Sequence, residues 1–148
     1  AFTKSVSRCN SLTSVDTEEK YDAILENPQF KTDVKFDIIE KIYRDNPENV
    51  LSEFDKIYHL KNNNPCIQFL ELSIYKLKEG GTCTIVLPYG SLFFSGSFKK
   101  AREYLLKTIN ITRIVIAPGG VFTHTGVKTC IITFVKEKEQ KEQKKLNL

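Results

Sequence analysis

Residues 27–30 read Asn-Pro-Gln-Phe, directly after the β-rich run Tyr21-Asp22-Ala23-Ile24-Leu25. A proline cannot donate to a sheet ladder, so a strand running into Asn27-Pro28 must stop there. In an open α/β sheet, ligands bind beyond the carboxyl ends of the strands. Asn27 brings an amide oxygen to that place, Pro28 fixes φ and aims its carbonyl, and Phe30 offers an aromatic face. Two acceptors beside a ring suit a planar substrate with an exocyclic amine. Acceptors that take both amine hydrogens push the nitrogen lone pair out of conjugation, which makes it nucleophilic without prior deprotonation. The plain structural reading of the same residues is an Asn-Pro turn with Phe30 packed into the core.

The rest of the chain must position that loop. It has 148 residues, 41% hydrophobic and 27% charged, which is ordinary globular usage and fits one domain. These figures exclude a collagen-like, low-complexity or acidic disordered chain, and no apolar run is long enough to predict a membrane span. Ala1 to Asn10 lacks the apolar centre of a cleavable signal. The formal charge is +4, and Lys136 to Lys145, with five Lys and three Glu, supplies +2 of it. That leaves +2 on residues 1–135, too little to argue for a polyanion partner by charge alone. The predicted organisation is a domain over 1–135 and a charged tail over 136–148. Cysteines at 9, 66, 83 and 130 lack metal-ligand spacing, which predicts reduced intracellular thiols and no metal site.

Helical stripes are predicted at Phe36, Ile39, Ile42 and Tyr43, and at Leu51, Phe54, Ile57 and Tyr58, separated by Asn46-Pro47. Ile67, Leu70, Ile74 and Leu77 predict a third helix ended by Gly80-Gly81. Thr82 to Leu87 reads as a strand buried on both faces. Phe98, Ala101, Leu105 and Ile109 predict a helix capped by Ser95 or Ser97. Arg113 to Ala117 and Lys128 to Lys136 predict two closing strands that form an antiparallel edge pair. The alternation predicts an α/β sheet with helices on both faces. His124 is expected in a solvent-facing loop, and Lys99, Lys100 and Arg102 on a solvated helix face.

Tyr21 to Phe30 (YDAILENPQF) resembles the strand and Asn-Pro-Pro-Phe motif of N6-adenine DNA methyltransferases, in particular the modification subunit of type I restriction systems. Phe69 to Pro88, Leu92 to Leu106 and Ile114 to Phe134 are similar to later blocks of that family, including its Gly-Gly turn, its Pro-Gly-x-Phe loop and its closing Thr-Gly-Val-Lys-Thr hairpin. The resemblance covers about two thirds of the chain, residues 31–64 excepted. It implies a Rossmann-like S-adenosylmethionine-dependent methyltransferase sheet and transfer of a methyl group to adenine N6 in DNA. Asn27 and Pro28 would hold the amine, Phe30 would stack on the rotated base, and Gln29 and Phe30 would line the substrate. Asn10-Ser11-Leu12 corresponds to an Asp-Ser-Leu element and would touch the cofactor. A separate sequence-specificity subunit, a restriction subunit and a cytoplasmic location are implied as well, with no membrane partner.

Two departures stand out. Gln29 replaces the second proline, and the family's Phe-x-Gly-x-Gly loop has no counterpart. With no Met in the sequence, the expectation is a chain that begins in mid-protein and does not methylate DNA alone. Rival readings are methylation of a protein glutamine amide or an RNA amine, and a non-catalytic interaction protein of the same fold.

Overall fold

A computed structural model of the chain describes residues 9–13, 18–31, 35–47, 49, 51–121 and 126–137. Four strands form one mixed sheet in the order β1-β2-β4-β3, with β1 at Tyr21–Glu26, β2 at Leu77–Pro88, β3 at Ile109–Ile116 and β4 at Thr129–Lys136. β1 runs parallel to β2, and β4 is antiparallel to both β2 and β3. The predicted antiparallel edge pair is therefore present, with β3 as the edge strand. By this topology the carboxyl ends of β1, β2 and β3 lie at one end of the sheet.

Helix α1 spans Phe36–Asp45, α2 Leu51–Ile57, α3 Pro65–Lys76 and α4 Ser97–Leu105. Cys66, Ile67 and Leu70 of α3 and Ala101 and Leu105 of α4 bury one face of the sheet against Cys83, Ile85, Leu87, Cys130, Ile132 and Phe134. The outer side of α3 carries Phe69, Leu72 and Tyr75 against a second cluster of Leu12, Phe36, Ile39, Tyr43, Phe54, Ile57 and Tyr58. Both helical layers thus stack on the same face. The expected helices on both faces are not found among the described residues, and the opposite face shows Leu25 at 85% exposure and Val115 at 37%.

That arrangement corrects the reading of β2. Cys83, Ile85 and Leu87 are fully buried while Thr82, Thr84 and Val86 are half-buried, so the strand alternates. Thr84 and Thr133 hydrogen-bond to each other across the open face at 3.0 Å.

Helix ends differ from expectation too. α3 stops at Lys76 because Leu77 is already extended and pairs with Tyr21. The next paired residues are Ala23 and Thr82, so Gly80-Gly81 shapes a bulge inside β2 and does not end the helix. Gly80 has φ +78°, and a Cβ on Gly81 would lie 2.9 Å from the Lys78 carbonyl oxygen. Ile109 belongs to β3, which begins four residues before the predicted Arg113. Ile42 is 48% exposed and leaves the α1 stripe to Phe36, Ile39 and Tyr43.

Candidate active site

β1 ends at Glu26 and delivers Asn27, Pro28, Gln29 and Phe30 to the carboxyl end of the sheet. Pro28 is buried and Phe30 is half-buried against the sheet–α3–α4 core, so the loop is anchored at two points. Asn27 and Gln29 are exposed, and the Asn27 side chain makes no hydrogen bond among the described residues. The Cys66 thiol points at the Gln29 carbonyl oxygen from 3.9 Å, a weak contact that ties the loop to the start of α3. Asn64 caps that helix, its Oδ1 accepting from the Cys66 N–H at 2.9 Å, with Pro65 at the first helical position.

Glu26 lies just before the loop and faces the core, where its carboxylate accepts from the Ser73 hydroxyl. Burial raises its pKa above the ordinary value, with the Ser73 hydrogen bond opposing the shift. Burial also pushes the Cys66 and Cys83 thiols up to about 12. These cysteines, together with the buried and unpaired Cys130, are therefore inert thiols and not nucleophiles.

Two more loops share this end of the sheet. After β2, a 3-10 turn at Tyr89–Leu92 leads to Phe93 and Phe94, which are 65% and 59% exposed. Between β3 and β4, the Tyr89 N–H donates to the Lys128 carbonyl at 2.7 Å, and the Ala117 N–H donates to Thr129 at 3.0 Å. Phe122 and His124 lie outside the described residues.

The segment Asn10-Ser11-Leu12 packs through Leu12. Leu12 is buried in the α1–α2 cluster, and its carbonyl accepts from the Tyr58 hydroxyl at 2.9 Å. The Asn10 Oδ1 accepts from the Leu12 N–H at 3.1 Å, which closes a local turn. Phe30 packs on the other cluster, so no shared core joins these residues to the Asn27 loop.

The start of α4 differs from expectation as well. Gly96, with φ +67°, precedes α4 without a side-chain cap, so neither Ser95 nor Ser97 plays that part. Arg102 is not simply solvated, since its guanidinium donates to the Ser91 carbonyl at 2.8 Å. Sequence reasoning missed the exposed Phe93-Phe94 pair. Its signal was two adjacent phenylalanines just past a Pro-Tyr-Gly turn, outside any amphipathic period.

The mixed sheet with its helical layers defines a class of fold, and comparison with known proteins agrees. A class I S-adenosylmethionine-dependent methyltransferase from Listeria monocytogenes superposes on 90% of this chain with a TM-score of 0.58 and 17% identity, which shows the shared fold. The N-6 DNA Methylase family profile matches residues 3–147, and the chain belongs to that family.

The EcoEI methylase subunit of a type I restriction enzyme from Escherichia coli is 41% identical over 75 residues, half of this chain and 15% of that protein. The modification subunit of a type I restriction enzyme from Vibrio vulnificus YJ016 matches 86% of this chain and 26% of its own, with a TM-score of 0.66 and 27% identity. The chain thus spans 15% of the EcoEI subunit and about a quarter of the Vibrio subunit.

Proposed function

We propose that this chain forms the amine-holding part of a type I restriction-modification methylase, which transfers a methyl group to adenine N6 in DNA. The observation that carries this reading is the exposed Asn27 side chain at the end of β1, which makes no hydrogen bond among the described residues, on a loop anchored by buried Pro28 and half-buried Phe30. The Asn27 oxygen and the Pro28 carbonyl accept the two N6 hydrogens. They localise the lone pair on nitrogen and aim it away from the ring plane. Phe30 gives the rotated base an aromatic edge, and Gln29 borders it. The N6 proton is lost to solvent as the new carbon–nitrogen bond forms.

S-adenosylmethionine supplies the methyl group on a sulfonium, whose positive charge makes the sulfur a ready leaving group. The described residues fit the amine side of this chemistry. Asn10 to Leu12 border the cofactor on this reading, the Asn10 Oδ1 keeping a second lone pair beyond the one its own turn uses. Placement of the amine, together with electrostatic stabilisation, supplies the acceleration that this chain contributes. A sequence-specificity subunit and a restriction subunit are the partners this reading assigns, in the cytoplasm. Among the described residues no helix is long and apolar enough to cross a membrane.

The test uses the full-length subunit with its specificity partner, S-adenosylmethionine carrying an isotope-labelled methyl group, and a mixture of DNA, RNA and protein from cells lacking the system, followed by mass spectrometry of labelled nucleosides and peptides. N6-methyladenine is expected. Methylated glutamine amide, methylated RNA, or no product at all would replace this reading with one of its rivals.

A further inference from the structure

The backbone that carries Phe93 and Phe94 is held from three sides. The Phe93 and Phe94 N–H groups donate to the Gly90 carbonyl at 3.0 and 2.8 Å, and Tyr89 is pinned to Lys128. Arg102 of α4 clamps the Ser91 carbonyl. The Tyr89 and Phe93 rings lie 5.0 Å apart, and the Phe94 ring covers Gly90 so closely that a Cβ there would come within 2.2 Å of it. A fixed turn nevertheless leaves two large rings mostly in water, which marks a contact surface.

Its charge is positive. The Lys128 ammonium stands 4.5 Å from the Tyr89 ring centroid, and Lys100 is exposed in the first turn of α4. Stacking rings beside exposed lysines at the carboxyl end of the sheet suit a nucleic-acid strand, whose bases stack and whose phosphates pair with ammonium groups.

We propose that Phe93 is a stacking residue for the DNA strand next to the rotated adenine. It fills or flanks the gap that rotation opens, with Lys128 on the adjoining phosphate. The inference rests on the methylase reading for the identity of the strand, but not for the stacking itself.

The experiment compares Phe93→Ala and Phe93→Trp in the full-length subunit with its specificity partner. The probe is a duplex selected from sheared host DNA by retention on the wild-type complex. In a second copy, 2-aminopurine replaces the adenine at which the fluorescence rise on binding is read. Phe93→Ala is expected to weaken duplex binding about tenfold and abolish the rise, while Phe93→Trp keeps both. Melting temperature and S-adenosylmethionine binding stay unchanged in both variants.

Wild-type affinity and fluorescence in Phe93→Ala would overturn the proposal. So would a lowered melting temperature or lost subunit assembly, which would make the ring a packing residue against another part of the protein. A wild-type complex that leaves adenine unmethylated, yet loses duplex affinity on Phe93→Ala, would remove the methylase reading and leave the stacking residue standing.

Discussion

The Asn27 loop and the α1–α2–α3 layer both rely on asparagine, and they use it in opposite ways. In the helical layer the side chains are committed. Asn63 accepts from the Phe36 N–H at 2.7 Å, Asn64 from the Cys66 N–H at 2.9 Å, and Asn62 from the Asn64 N–H at 2.8 Å. Asn49 donates to the Tyr43 and Thr13 carbonyls at 2.9 and 3.3 Å. Each serves backbone groups that a helix end or turn would otherwise leave without partners. Asn27 serves none among the described residues, although its neighbours Pro28 and Phe30 are anchored. On the proposed reading, what separates Asn27 from the structural asparagines is spare hydrogen-bonding capacity on a fixed backbone.

The comparison can be broken by measuring stability. Phe54→Ala sets the scale of the helical layer, because the Phe54 ring lies 4.9 Å from both the Tyr43 and Tyr58 rings. It is expected to cost about 3–5 kcal/mol in denaturant unfolding. Asn63→Ala strands the Phe36 N–H at the start of α1 and is expected to cost about 1–3 kcal/mol. A thermal melt within error of wild type would show that this asparagine is no more committed than Asn27.

Asn64→Ala removes the α3 cap and is expected to cost about 1 kcal/mol, most of which Asn64→Ser should restore. Asn27→Ala closes the series, with a stability change of about 0.5 kcal/mol or less, as for an exposed side chain without partners.

Glu71 sharpens the same contrast through pH. It is buried in α3, one oxygen accepts from the Leu60 N–H at 2.9 Å, and the other has no hydrogen-bond partner among the described residues. Burial raises its pKa from 4.5 to about 7, with the backbone hydrogen bonds opposing the shift. The folded state therefore holds this proton to higher pH than the unfolded chain. Between about pH 4.5 and 7 the unfolded state binds fewer protons, so this residue's contribution to stability falls as pH rises. Glu71→Gln is expected to flatten that slope, and unfolding curves across the window would reveal an unchanged slope if the carboxyl were not responsible.

Much of this contrast was legible in the sequence. A β-rich run ending at a proline placed Asn27 past a strand end, and the period of Phe36, Ile39 and Tyr43 set a buried helical face. Element ends were not legible where pairing decided them. Leu77 has helical spacing from Ile74, but its pairing with Tyr21 makes it strand, and Gly80-Gly81 is left to form a bulge. The cap before α4 went to Gly96 because the turn needs a positive φ there, which the serines on either side do not suit. That both helical layers stack on one face is a tertiary fact with no local signal. Nor does the sequence distinguish Asn27 from Asn64 by itself, since each stands next to a proline, and only the partners differ.

The most direct test of that distinction is the single-turnover rate of methyl transfer by full-length Asn27→Ala, with duplex and S-adenosylmethionine binding measured on the same preparation. The amine-holding role of Asn27 implies a rate about 10²–10³-fold below wild type, with binding and melting temperature little changed. A wild-type rate from Asn27→Ala would contradict it.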